Sequence, residues 1–226
     1  KKDAAAIPNA PITNQKAKTK CNAICNCFCS VFFIAVKFRF LQQNSIELST
    51  KKVIITGGPG TGKSTIINEL IKRDYTCLEE ISRQVTLDAK KEGIDQLFLT
   101  NPLLFSDMLI KGREKQFKSV SNMESDIVFF DRGIPDVLAY MDFVGNEYPN
   151  RFVDICKNSK YDAVFILKPW ETIYTSDNER YEDFNQAKDI HKHLINTYQS
   201  YNYSLIDVPF DTVEKRTDFI LNIVNM

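Results

Sequence analysis

The chain has 226 residues, with 29 Lys and Arg balanced by 29 Asp and Glu, which allows one or two domains. Residues 1–50 hold seven basic residues against two acids, a net of +5, leaving 22 basic against 27 acidic residues, a net of −5, in the remainder. A mildly acidic body does not fit DNA or RNA as partner, because that binding is driven by clustered Lys and Arg, but it leaves a small anionic metabolite open as ligand.

The first fifty residues differ in kind from the rest. Four of the six cysteines (Cys21, Cys25, Cys27 and Cys29) lie here, followed by the apolar SVFFIAV and then Lys37 and Arg39. Their spacing has no paired C-x-x-C knuckles and no nearby histidine, so no zinc site is expected. The apolar run, roughly ten to fifteen residues, is too short to span a bilayer and ends in KFRF, which a signal peptidase would not accept. A weak, acylated anchor is the alternative. Residues 1–48 are read as an extension, disordered or an artefact of the gene model, and 49–226 as the folded domain. In that body Cys77 and Cys156 suit buried or free thiols in a reducing cytoplasm.

The unbroken branched run Lys51–Thr56 predicts a buried strand, which breaks at Gly57. From there the chain spells G-x-x-x-x-G-K-S, and Ile66, Ile67, Leu70 and Ile71 recur on one helix face. A glycine turn between strand and helix lets backbone N–H groups close around an anion, at the positive end of the helix. Gly57, Gly58, Pro59, Gly60, Thr61, Gly62, Lys63, Ser64 and Thr65 are therefore assigned to nucleotide phosphates. Lys63, on an exposed loop, would reach the β- and γ-phosphates, and Ser64 would ligate Mg²⁺.

Beyond the loop, strands are predicted at 75–79, 126–131, 161–167 and 203–208. Helices are predicted at 63–73, 80–92, 102–120, 134–144, 151–158, 179–200 and 212–225. Asn101 before Pro102 reads as an N-cap, and Asp211 with Glu214 as a capping box. Strands alternating with helices imply an α/β domain whose parallel sheet is covered on both faces. Ligands of such sheets sit at the carboxyl ends of the strands, where this chain places EEISR, FFDRGIPD and a polar stretch containing Arg180. Asp131 ends an apolar strand and has the form of a second Mg²⁺-holding residue, or of a helix cap. Glu80 suits a general base or a first-turn helix acid. Arg83 and Arg132 are read as acceptor contacts. Arg180 is read as a lid arginine that clamps the transferring phosphoryl group, the alternative being a solvated surface residue. His191 and His193, two apart on a helix, point away from each other and are placed on the surface. Trp170 is read as a packed anchor at the lid base.

With these segments in hand (ITGGPGTGKST, Glu80–Arg83, FFDRGIPD, Tyr140 before Gly145, DNERYED and VEKR), residues 51–225 resemble a P-loop, AAA-type ATPase domain family. It is the family shared by the ribosylnicotinamide kinase half of the bacterial NAD regulator and the TRPL translocation defect protein of animals. The resemblance implies a P-loop NTPase three-layer α/β/α core, a five-stranded sheet in the kinase-like order 2-3-1-4-5, a helical lid and Mg-ATP as ligand. No N-K-x-D guanine motif occurs in the sequence. Two functions follow: phosphoryl transfer from Mg-ATP to a small hydroxylated acceptor, or a regulatory switch that reports ATP or GTP to a protein or lipid.

Overall fold

The computed structural model describes residues 50–94, 96–174 and 183–226, all within one compact unit, Ser49–Met226. The expected extension 1–48 and the centre of the expected lid, with Arg180, lie outside the described residues. Among those described, five strands form one sheet: β1 (Lys51–Gly57), β2 (Thr76–Leu78), β3 (Ile127–Asp131), β4 (Ala163–Leu167) and β5 (Leu205–Val208). All pairs are parallel and the order is β2-β3-β1-β4-β5. This is the α/β P-loop architecture implied by the sequence resemblance.

β1 sits at the centre because its Val53–Gly57 stretch is apolar enough to be buried on both faces. Alternate residues serve opposite layers. Val53, Ile55, Phe129, Phe165 and Leu167 pack against α1 (Lys63–Lys72) and α7 (Val213–Val224). Ile54, Val128, Phe130, Val164 and Ile166 pack against α4 (Ile134–Val144) and α6 (Phe184–Ser200). A third cluster, which the strand and helix pattern does not reveal, joins α2 (Ile81–Lys91), α3 (Pro102–Ser119), α4 and α5 (Asn150–Asn158) around Ile110, Ile134 and Phe152.

The differences from the sequence reading lie at element ends. β2 and β5 are shorter than predicted. Each is an edge strand with a single neighbour, so only one ladder holds its ends. Asn101 caps α3, its side chain accepting from Leu104 N–H at 3.1 Å. The cap of α7, however, is Thr212 and not Asp211. Thr212 Oγ1 accepts from Lys215 N–H at 3.4 Å, while Asp211 is spent on the Thr212 N–H at 2.7 Å. α6 starts at Phe184, later than predicted, because Asp183 and Gln186 close a reciprocal capping box there. A single helical turn, Leu97–Thr100, was not predicted: it follows Gln96 in a left-handed conformation and is too short for periodicity to register.

Candidate functional site

The carboxyl ends of β1, β2 and β3 meet on one edge of the sheet. Pairing Ile55 with Asp131 brings the residues after β3 beside the phosphate loop, and the Arg132 N–H extends the ladder by donating to the Ile55 carbonyl at 3.0 Å. The loop itself is a backbone cradle. Gly62 has φ +83° and caps α1, and Gly60 has φ +69°, with a Cβ there falling 2.6 Å from the Tyr174 ring. Neither position tolerates a side chain. Thr61 is buried and donates to the Gly58 carbonyl at 3.0 Å, and Thr65 donates to the Gly62 carbonyl at 2.7 Å. Gly57 and Gly58 are buried, Pro59 is half-buried and Ser64 is exposed. A cleft of about 540 Å³ opens over Gly60–Thr65, walled by Trp170, Ile173, the 211–213 turn and Arg216.

Lys63 departs from its expected exposure. It is buried, and its Nζ donates to the Gly58 carbonyl at 3.0 Å, so the loop folds back over its own cation. Burial pushes its pKa down to about 8, helped by Arg132, while Asp131, Glu80 and Asp136 pull it upward. Behind Lys63 lies a charged cluster outside the cleft lining. Glu80 is the N-cap residue of α2 by position but makes no side-chain cap bond. Its Oε1 pairs with Arg132 Nε at 2.8 Å and with Arg113 Nη2 at 3.8 Å. Burial favours the neutral acid, yet Arg132, Lys63 and Arg113 together hold Glu80 at about 2, so it is ionised.

Asp131 does not cap α4 either; that role belongs to Gly133 and Asp136. Asp131 is buried, its Oδ1 has no partner, and burial raises its pKa. An orphaned buried carboxylate oxygen, on the same sheet edge as the phosphate loop with its exposed Ser64, fits a hard, oxygen-seeking cation such as Mg²⁺. Arg132 has φ +71° and is held from two sides, by Glu80 and by Asp136 at 3.3 Å, with Tyr140 under the guanidinium at 5.1 Å. Arg83 stands exposed on α2, away from these ion pairs.

Four participants escaped the sequence reading. Arg113, buried on α3, donates to the Gly133 carbonyl at 2.6 Å; its place in the inward stripe Ser106, Leu109, Ile110, Arg113 is the signal that would have found it. Asp136 is fully buried, four residues beyond Arg132. Arg216, in the VEKR segment, is almost fully buried. It donates to the Thr61 carbonyl at 3.2 Å and lies 5.7 Å from the Trp170 ring centre. Tyr174 packs on Gly60. Trp170 does anchor this region, stacking on Phe210 at 5.0 Å, but it also walls the cleft. His191 and His193 are half-buried, not on the open surface, and among the described residues no group of three His, Cys, Asp or Glu is placed to hold a metal.

A model of the AAA domain family matches residues 52–216, spanning phosphate loop, charged cluster and Arg216. The chain belongs to the AAA domain family. The solved structures similar to this AAA domain share its fold. A deoxyadenosine kinase from M. mycoides, with dCMP and dCDP bound, is 20% identical with a TM-score of 0.58 over 77% of this chain and 98% of its own. A NadR protein in complex with NR is 15% identical with a TM-score of 0.62 over 86% of this chain. A NadR structure with NAD and AMP-PNP is 18% identical, with a TM-score of 0.58 over 78% of this chain. This chain spans 58% and 49% of those two NadR chains. No curated protein matches the AAA domain in sequence.

Proposed function

We propose that this AAA domain is a phosphotransferase that moves the γ-phosphoryl group of Mg-ATP to a hydroxyl of a small, nucleoside-like acceptor. The observation that carries the proposal is the ionised Glu80, held by Arg132 and Arg113 behind Lys63 and next to the phosphate loop. A structural sheet edge has no need of buried opposing charges at that point, whereas phosphoryl transfer needs both a proton acceptor and neutralising cations. The names of the fold neighbours support the same class, since one is a deoxyadenosine kinase and another binds NR.

Lys63 exchanges the Gly58 carbonyl for the β- and γ-phosphates, which cost it less to approach than water-poor backbone. Ser64 and Asp131 would hold Mg²⁺, which when bound neutralises phosphate charge and orients the phosphoryl group. The acceptor hydroxyl attacks phosphorus, the bond to the β-bridging oxygen breaks, and Glu80 takes the hydroxyl proton. A loose transition state lets that proton move late, so a weakly basic carboxylate suffices in the free protein. Phosphates that occupy Lys63 and Arg132 relieve their hold on Glu80 and raise its basicity. Arg180 acts as the lid clamp on the developing charge, and Arg83 contacts the acceptor. Among the described residues, Cys77 and Cys156 are free thiols, in keeping with a reducing cytoplasm. Among the described residues no helix is long and apolar enough to cross a membrane.

The regulatory switch reading draws on Tyr174 and Arg216, which both press on the loop and would report its occupancy. Thermal shift with nucleosides, nicotinamide riboside and phosphorylated metabolites, each with a non-hydrolysable ATP analogue, separates the two. The phosphotransferase reading expects one acceptor class to add stabilisation beyond the nucleotide alone. Nucleotide stabilisation with no acceptor effect across the panel favours the switch.

A further inference from the structure

Asp136 has more partners than a helix cap needs. It is fully buried, and its two oxygens accept from four donors on three segments. Oδ1 takes the Thr56 hydroxyl at the end of β1 at 2.6 Å and Arg132 Nη1 at 3.3 Å. Oδ2 takes the Gly133 N–H at 2.9 Å and the Tyr198 hydroxyl of α6 at 2.5 Å. Capping α4 uses the Gly133 bond alone. Tyr198 is itself fully buried. Its hydroxyl would lie 2.8 Å from a Cβ on Gly133, so the Arg132–Gly133 corner has no room to move toward α6. The first turn of the same helix reaches the phosphate loop, where the Ala187 carbonyl would lie 3.2 Å from a Cβ on Gly58. One rigid helix thus bears on the loop with its first turn and on Asp136 with its last.

We infer that Tyr198 is a positioning residue for phosphoryl transfer, acting through Asp136 to hold Arg132 against Glu80. The inference rests on the phosphotransferase reading above. A carboxylate offers about four lone-pair sites, and here four donors fill them. In a site closed to water, a donor that is removed is not replaced, and the remaining donors are pulled harder. Gly133 N–H is fixed by the backbone and Thr56 by its short side chain on the central strand. The guanidinium of Arg132 is the donor free to turn, and turning toward Asp136 takes its Nε away from Glu80. Tyr198 therefore acts at a distance on the proton acceptor while touching no substrate. A tyrosine that merely fills the core would lose stability on removal of its hydroxyl and leave the Glu80–Arg132 pair alone.

Tyr198→Phe keeps the ring and removes one oxygen. In ¹⁵N-labelled protein the Arg132 Nε–H resonance, assigned by its loss in Arg132→Lys, reports the contact with Glu80. The expected result is a shifted or broadened Arg132 resonance in Tyr198→Phe, with turnover lowered about tenfold or more and the KM for ATP within about twofold. Thr56→Val removes a donor from the other oxygen and should reproduce both effects, and Thr56→Ser should restore them. That pair supplies the test if Tyr198→Phe does not fold. An unchanged Arg132 resonance with unchanged turnover in folded Tyr198→Phe overturns the inference. A parent protein that phosphorylates no acceptor overturns the phosphotransferase reading instead, and the Arg132 resonance still decides whether Tyr198 positions the pair.

Discussion

The phosphate loop and the charged cluster behind Lys63 lie side by side but are built on opposite principles. The loop is a backbone device: its N–H groups, left-handed glycines and short hydroxyl bonds create a place for an anion, and its sole buried charge is Lys63. The cluster is a side-chain device, in which Glu80, Asp136, Arg113 and Arg132, from three different segments, form ion pairs with one another out of water. The loop should therefore tolerate loss of a side-chain function and fail on addition of a Cβ. The cluster should behave as one unit, because removing any member strands the others.

The largest effect expected is on the cluster. Arg132→Ala leaves Glu80 and Asp136 without their shared cation, and the expected loss is about 3–5 kcal/mol of folding stability, read by urea denaturation. A loss below about 1 kcal/mol would mean that the cluster is wetter than its burial implies. Lys63→Ala should do the reverse. Removing a cation that burial disfavours leaves the fold as stable as the parent or more so, while nucleotide affinity falls about a hundredfold or more through loss of the phosphate contact. Thermal shift with and without Mg-ATP reads both quantities, and an equal nucleotide shift in variant and parent would contradict the assignment.

Smaller effects sharpen the contrast. Glu80→Gln should lower turnover about a hundredfold while sparing ATP affinity, as should Arg180→Ala if the lid arginine acts on transition-state charge. Steady-state kinetics with ATP affinity measured separately distinguishes this from a ground-state clamp, for which Arg180→Ala would lose affinity outright. Glu80 also contributes to acid stability. Its folded pKa of about 2 lies below its ordinary 4.5, so its contribution is fully present above pH 4.5 and is lost as pH falls through about 2. Glu80→Gln should flatten the stability curve across that window. The smallest effect concerns the pH dependence of nucleotide binding. Phosphates favour charged Lys63, whose pKa in the free protein is about 8, so affinity should be level below pH 8 and fall by up to about tenfold per unit above it. An affinity flat from pH 7 to 10 would show that Lys63 stays protonated without the ligand.

Much of this domain is legible in one dimension because the signals are local. The branched run before Gly57, the glycine spacing and the apolar stripe Ile66, Ile67, Leu70 specify strand, turn and helix through backbone sterics and periodicity, and these call for no distant partner. The position of Asp131 was legible for the same reason, as the last residue of an apolar strand. Asp136, Arg113, Tyr198 and Arg216 were given no role, since a stripe or a motif segment does not by itself tell a buried polar residue from a solvated one: each is one polar residue on a helix. Each has a partner between 20 and 155 residues away. Burial separates them from a solvated surface residue, and burial exists only once the sheet and its two helical layers have closed. The same closure overturned the exposure expected of Lys63. A lysine in a glycine loop reads as a free cation, but burial near Arg132 removes its water and gives it the Gly58 carbonyl instead. Local backbone preference was enough to place the anion cradle. Desolvation, which depends on every layer at once, decided which charges stand behind it.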